Sequence, residues 1–320
     1  MKAVVFSGAG GNEVVELQNR PDPVPGDHEV LVSASYAGVN PADVLQRNGG
    51  YPVPPDAPQD VPGLETAGEV IAVGSRVRRW SVGDRVCGIV SGGGLADRVI
   101  AHEDHLLPAP EQLKDAELAA LPEALITAYD ALHRVGSAAG RVTVIRGING
   151  GVGLAAAQLA AASGATVIGI GRSAEALAKV TELGITAVTD SEAADLVAQH
   201  GGADAVVELV GGSYVAADLA MLAVRGQIVV VSTAAGADPN VPLGLLMARR
   251  AGLHGTVLRG RSAAEKALLV AEVAKTALPL AASGRLTIPI DQVFAAEDVT
   301  AAFDRLSQSG KVGKVVLQFS

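Results

Sequence analysis

The stretch from Val142 to Ser173 constrains this chain more than any other. It reads Val142-Thr-Val-Ile-Arg-Gly147, then Ile148-Asn-Gly-Gly-Val-Gly153, then an alanine-rich run to Ala162, then Ser163-Gly-Ala-Thr-Val-Ile-Gly-Ile-Gly-Arg-Ser173. A β-branched run leads into a glycine turn, a helix former and a second apolar run, which is the order of a βαβ unit with a dinucleotide-binding turn. The glycines obey Gly147-x-x-Gly150-x-x-Gly153; the stricter G-x-G-x-x-G spacing would need glycine where Ile148 stands. Gly147 and Gly150 bring bare main chain up to a pyrophosphate, and Gly153 lets the helix pack closely on its strand. Free N–H groups and the positive end of the helix dipole then face the phosphates.

The second strand ends Ile168-Gly-Ile-Gly171-Arg172-Ser173, with no acid at its tip. An acid there would bind the ribose 2′-hydroxyl of NAD and repel a 2′-phosphate. Arg172 can pair with that phosphate and Ser173 can donate to it. The expected cofactor is therefore NADPH. Ser173-Ala-Glu-Ala176 lacks a further lysine before Lys179, so the preference rests mostly on Arg172 and use of NADH stays open.

A chain of 320 residues, 49% apolar and 18% charged, suits two packed domains. A net charge of −9 without a basic cluster argues against nucleic acid. The single cysteine, Cys87, excludes an internal disulfide and any multi-cysteine zinc site, and fits a reducing cytoplasm. No apolar stretch reads as a membrane span, and the first residues do not resemble a signal peptide.

Residues 1–120 carry short β-branched runs at 2–6, 14–17, 29–36, 66–73, 85–89 and 97–101, punctuated by Pro and Gly, as in a small barrel or folded sheet. Residues 40–47 read as one short helix. From Asp115 the texture turns to helices at 116–121 and 127–134, then to strand–helix alternation through the run at 227–232, a doubly wound parallel sheet. A helix at 243–250 and a strand at 255–258 follow. The pattern then predicts a helix over 263–283, extended runs at 286–289 and 292–294, a helix at 299–308 and a last strand at 314–319. These return to the first domain, so the expected division is 1–122 completed by 263–320, with a nucleotide domain at 123–262.

Asn40-Pro-Ala-Asp43, Gly63-Leu-Glu-Thr-Ala-Gly-Glu-Val70, Val82-Gly-Asp-Arg-Val86, Ala120-Leu-Pro122 with Thr127-Ala-Tyr129, and Asn149-Gly-Gly-Val-Gly153 occur in an order and spacing that resembles the medium-chain dehydrogenases/reductases. Within them the chain looks like the zinc-independent quinone oxidoreductases, the zeta-crystallin-like family. The resemblance implies a GroES-like catalytic domain, a Rossmann domain, the nicotinamide in the cleft between them, and a homodimer joined through the nucleotide domains. Zinc-dependent relatives carry Cys where this chain has Asn40, His at Leu64, and a third ligand near Pro122 and Glu123. Of the metal-associated positions only Glu65 is kept, and one carboxylate does not hold zinc. No metal is expected, and the six histidines show no ligand spacing.

Without a Lewis acid the acceptor must already be electrophilic: a quinone or an α,β-unsaturated carbonyl compound. The resemblance places Asn40 beside the nicotinamide, where its amide can donate to a carbonyl; a turn-capping Asn before Pro41 is the competing reading. Tyr51 matches a pocket tyrosine, read either as proton donor or as packing for a Pro-rich loop. The candidate cofactor residues are Thr127, Gly147, Asn149, Gly150, Gly151, Val152, Gly153, Gly171, Arg172, Ser173 and Lys311. A helix-starting cap is the alternative for Thr127, and plain solvation for Lys311 and Lys314. Two other functions compete: an enoyl-thioester reductase using Arg249, Arg250, Arg259 and Arg261 for an extended anionic carrier, and a non-catalytic NADPH-binding protein.

Overall fold

The structure is a computed structural model describing residues 1–319. In chain order its strands and helices begin with β1 (Lys2–Phe6), β2 (Val15–Asn19), β3 (Glu29–Ser33), β4 (Tyr36–Val39), α1 (Pro41–Arg47), β5 (Glu65–Val73), β6 (Arg85–Ile89), β7 (Arg98–His102), β8 (Leu106–Pro108), α2 (Asp115–Ala119) and α3 (Pro122–Val135). The middle comprises β9 (Val142–Arg146), α4 (Gly151–Ala162), β10 (Thr166–Ile170), α5 (Ala174–Glu182), β11 (Ala187–Val188), α6 (Asp190–Gln199), β12 (Ala203–Glu208), α7 (Tyr214–Met221), β13 (Leu222–Val230), α8 (Leu243–Arg249) and β14 (Gly252–Gly255). The chain ends with α9 (Ala263–Thr276), α10 (Leu278–Ala282), β15 (Ile290–Ala295), α11 (Val299–Ser307) and β16 (Lys314–Gln318).

Two compact units result. One gathers residues 1–126, 258–308 and 313–320; the other gathers 127–257 and 309–312. In the first, an antiparallel sheet runs β7-β3-β5-β6-β8, beside β1-β2 and a three-stranded β15-β16-β4. Its core packs Phe6, Leu95, Phe303 and Leu317 together. The second unit holds one six-stranded sheet, β11-β10-β9-β12-β13-β14, parallel throughout. The order reverses beside β9, so the crevice at the carboxyl ends of β9 and β12 is a topological switch point. Every residue of β9 is buried, as a strand covered on both faces requires. This is the doubly wound Rossmann sheet that the alternation predicted.

Some elements differ from expectation. The run at 29–36 is two strands in different sheets, because the chain leaves β3 at Ser33 and enters β4 at Tyr36. The helix expected over 263–283 breaks between α9 and α10. Pro279 has no N–H to continue the ladder, and its ring would meet the carbonyl one turn back. The strand expected at 255–258 lies at 252–255, where pairing with β13 sets its register. Of the two extended runs expected after 286, only 292–294 is strand: it lies within β15, parallel to β16, while 286–289 is irregular.

Candidate functional site

In the nucleotide unit the glycine turn is built from main chain. Gly147 has φ +83°, a left-handed conformation that favours glycine. A Cβ on Gly153 would lie 2.5 Å from the Gly147 carbonyl oxygen and 2.9 Å from Ile148, so only glycine lets α4 start this close to β9. Gly150 is the N-cap of α4 and no side chain caps it. The first-turn N–H groups of Gly151, Val152 and Gly153 are thus left to an anion, and the arrangement fits a pyrophosphate.

The amide of Asn149 donates to the Lys311 carbonyl at 2.9 Å, tying the 309–312 segment to this turn. Gly171 is buried, and Arg172 follows it exposed at the end of β10. Ser173 caps α5 by accepting from the Ala176 N–H at 3.3 Å, which leaves its own hydroxyl hydrogen for a ligand. Lys179 pairs with Glu175. Thr127 is buried in the interior of α3, which begins at Pro122, so it does not cap a helix start.

The other unit surrounds Asn40 with a buried polar network. Asn40 is the N-cap of α1, and its N–H donates to Asp43 at 2.8 Å. Its amide nitrogen donates to Glu65 Oε1 at 2.8 Å, while its amide oxygen accepts from Lys314. The ammonium of Lys314 also pairs with Glu65 Oε1, and the second Glu65 oxygen takes the Glu123 N–H at 2.9 Å. Glu65 is 1% exposed and Lys314 5%, so Lys314 is not a solvated lysine: it is the counter-charge that a buried carboxylate requires. Asp43, buried between the N–H groups of Asn40 and Gly63, has its carboxyl pushed up to about 6 by loss of solvent. Asn40 thus stands at the N-cap position of α1 without a side-chain capping bond, and its amide is spent on the Glu65–Lys314 pair.

Tyr51 lies half-buried over Arg259, whose guanidinium carbon is 5.1 Å from the ring centre. Burial pushes its phenol up to about 12; Glu123 and Asp43 add to the rise and Arg259 opposes it. Arg259 is 4% exposed, so it is not surface charge. Its Nε donates to the Ser91 carbonyl at 2.7 Å, and Lys266 donates to the Ser91 hydroxyl. Cys87 is buried and its thiol is pushed up to about 12 by desolvation, inert as expected of a small core residue. Three of the sequence-scattered histidines meet: the rings of His28 and His102 stack, and His102 lies 4.9 Å from His105.

Sequence reasoning gave Asp43 and Lys266 no role, offered Arg259 only as a charge for an anionic carrier, and misjudged Lys314. The available signal was the excess of ionisable groups in segments otherwise rich in apolar and small residues. No local spacing joins them.

Comparison with known proteins adds the following. The family described as zinc-binding dehydrogenase matches residues 151–275, and the alcohol dehydrogenase GroES-like domain matches 26–111. A quinone oxidoreductase-like protein 2 homolog of Nematostella vectensis is 35% identical, over 91% of this chain and 82% of its own. The quinone oxidoreductase of Lama guanicoe is 32% identical, over 99% of this chain and 97% of its own. Among solved structures, a quinone oxidoreductase of Pseudomonas syringae superposes with a TM-score of 0.89 at 29% identity, covering 99% of each chain. The side chains at 40, 64 and 122 do not fit the zinc that the first description names. Leu64 is apolar, Pro122 has no side-chain ligand, and Asn40 is occupied by Glu65 and Lys314. Among the described residues no group of three or more His, Cys, Asp or Glu side chains is placed to hold a metal ion.

Proposed function

The chain belongs to the quinone oxidoreductase family of the medium-chain dehydrogenases/reductases, and from that membership we propose that it is an NADPH-dependent reductase of quinones or α,β-unsaturated carbonyl compounds that works without zinc. The observation that carries this reading is the Lys314 ammonium bonded to both Glu65 and Asn40. It neutralises the buried carboxylate and occupies the Asn40 oxygen, so these two groups are engaged rather than free to hold a metal that would polarise a simple alcohol or aldehyde. Such a site suits acceptors whose carbonyl is already conjugated.

The residues divide the work. The N–H groups of Gly151, Val152 and Gly153 hold the pyrophosphate, Arg172 and Ser173 meet the 2′-phosphate, and Asn149 fixes the Lys311 segment against the turn. Reduced nicotinamide, when bound, supplies the hydride. The acceptor's carbonyl oxygen becomes an oxyanion as it is reduced, and the protonated phenol of Tyr51 donates to it. Asn40, with its donor hydrogens turned toward Glu65 and the Gly38 carbonyl, is a positioning residue for this pocket. In this reading residues 1–122 with 263–320 are the catalytic domain and 123–262 the NADPH-binding domain. The protein is taken as a cytoplasmic homodimer; β14 supports this by ending the sheet with Leu253, and nearby Met247, exposed.

NADPH consumption by the purified protein tests the reading, with a simple quinone and an enoyl-CoA offered in parallel and metal content measured on the same sample. Turnover with the quinone and no stoichiometric zinc is expected. Preference for the thioester would make the protein an enoyl-thioester reductase, and retained zinc would overturn the metal-free assignment. Light scattering after size exclusion measures the oligomer.

A further inference from the structure

Arg259 stands out among the buried charges of its unit. Both of its terminal guanidinium nitrogens are shut off from water without a hydrogen-bond partner. Only Nε is satisfied, by a neutral main-chain oxygen. Lys266, 6% exposed, is likewise held by the neutral Ser91 hydroxyl. Burying an unpaired cation costs several kcal/mol, more than packing one aromatic ring returns. Yet its guanidinium carbon lies 5.1 Å from the ring centre of Tyr51, the residue read above as the proton donor. The Lys314–Glu65 pair shows that this fold can neutralise a buried charge fully. Arg259 is left partly unneutralised beside Tyr51.

We propose that Arg259 is a positioning residue for Tyr51: its guanidinium fixes the ring by stacking and stabilises the phenolate that remains after the phenol has donated its proton. The proposal rests on the reading of Tyr51 as the proton donor. In the step it serves, hydride and its electron pair pass from the reduced nicotinamide to the conjugated system of the acceptor, so the nicotinamide is oxidised and the acceptor reduced. The displaced electron pair comes to rest on the carbonyl oxygen. The Tyr51 O–H bond breaks, its proton joins that oxygen, and water later returns a proton to the phenolate. Arg259 opposes Glu123 and Asp43, which both act against the phenolate, together with burial. The cation is what keeps a desolvated phenol usable as an acid.

The test reads the phenol directly and does not need turnover. The full-length protein is made with 3-nitrotyrosine in place of Tyr51, whose phenol ionises near neutrality with a visible absorbance. It is titrated with Arg259 present and as Arg259→Met and Arg259→Lys. Loss of the cation is expected to raise the nitrophenol pKa by about one unit; Arg259→Lys, which keeps the charge without the flat face, is expected to recover at least half of that. Equal pKa values in the folded wild-type and Arg259→Met backgrounds would overturn the proposal, as would Arg259→Lys behaving like Arg259→Met. In the unmodified protein, Arg259→Met should lower kcat with quinone about tenfold when Tyr51 is present and less than twofold in a Tyr51→Phe background. Independent losses in the two backgrounds would show that Arg259 does not act through Tyr51. Absence of quinone turnover in the wild type would remove the functional reading while leaving the titration result standing.

Discussion

The half-buried glycine turn at 147–153 and the buried network around Glu65 are both polar and placed at the ends of strands, but they are made of different material. The turn is main chain: its donors are N–H groups, and its shape depends on atoms that are missing, as at Gly153, where a Cβ would strike the Gly147 oxygen. The network is side chain: Asn40, Glu65 and Lys314 come from three segments, the outer two separated by 274 positions. A site of main chain tolerates any side chain that stays out of its way. A site of paired charges fails when one partner leaves, because the remaining charge stays buried without compensation.

That contrast can be broken first at Lys314. Lys314→Met leaves the Glu65 carboxylate buried beside a neutral side chain, and it should cost about 3–5 kcal/mol of unfolding free energy in urea denaturation. The double variant Lys314→Met with Glu65→Gln should recover most of the loss. If the double variant is as unstable as the single one, the pair is not what the network is built on. Gly153→Ala comes next. Adding one methyl against main chain should cost about 1–3 kcal/mol and weaken NADPH at least tenfold by fluorescence titration. Wild-type affinity in that variant would mean that α4 can shift away from β9.

The nucleotide unit also has a charge cluster, and it sharpens the comparison. Arg146, 3% exposed at the end of β9, pairs with Asp218, Glu208 and Asp190. One cation thus pairs with three carboxylates, whereas Lys314 pairs with one. Burial and the adjacent Asp218 raise the Glu208 carboxyl above its ordinary value of 4.5. The folded chain therefore holds a proton that the unfolded chain releases. The stability due to this group is full below about 4.5 and is lost as pH rises through the raised value, with a slope of at most about 1.4 kcal/mol per pH unit. Glu208→Gln should flatten the pH dependence of urea stability over that range; an unchanged slope would place the proton elsewhere. The smallest effect is expected at exposed Arg172. Arg172→Ala should weaken NADPH about tenfold and NADH less than twofold, as a charge-assisted contact to one phosphate implies. Equal losses would remove Arg172 from the 2′-phosphate site.

The legibility of these regions in the sequence follows from the same contrast. Strand, turn and helix at 142–162 are consecutive, and each residue's role there depends on neighbours within about two turns of chain, so spacing alone located them. Arg172 and Ser173 follow for the same reason. The N-cap position of Asn40 before Pro41 was legible because it is local, but its side chain makes no capping bond, and its bonds to Glu65 and Lys314 join distant segments. Lys314 reads as solvated and Arg259 as a charge awaiting an anionic carrier because a lone basic residue in sequence gives no sign of what it packs against. Thr127 reads as a helix start when the second helix is expected at 127–134; Pro is tolerated in a first turn, and α3 begins five residues earlier, at Pro122. The helix expected over 263–283 failed at Pro279 for the reverse reason, a proline deep in a continuous apolar pattern.

The sequence by itself determined the parallel Rossmann sheet, the glycine turn and most of the short strands of the first unit, because hydrophobic period, glycine placement and proline placement act through the adjoining few residues. Only the tertiary structure decided which charges are buried and paired: that Lys314 serves Glu65, that Arg146 gathers three carboxylates, and that Arg259 lies under Tyr51 with two nitrogens unspent. Desolvation and ion pairing depend on distance through space, and the distance along the chain carries no record of it.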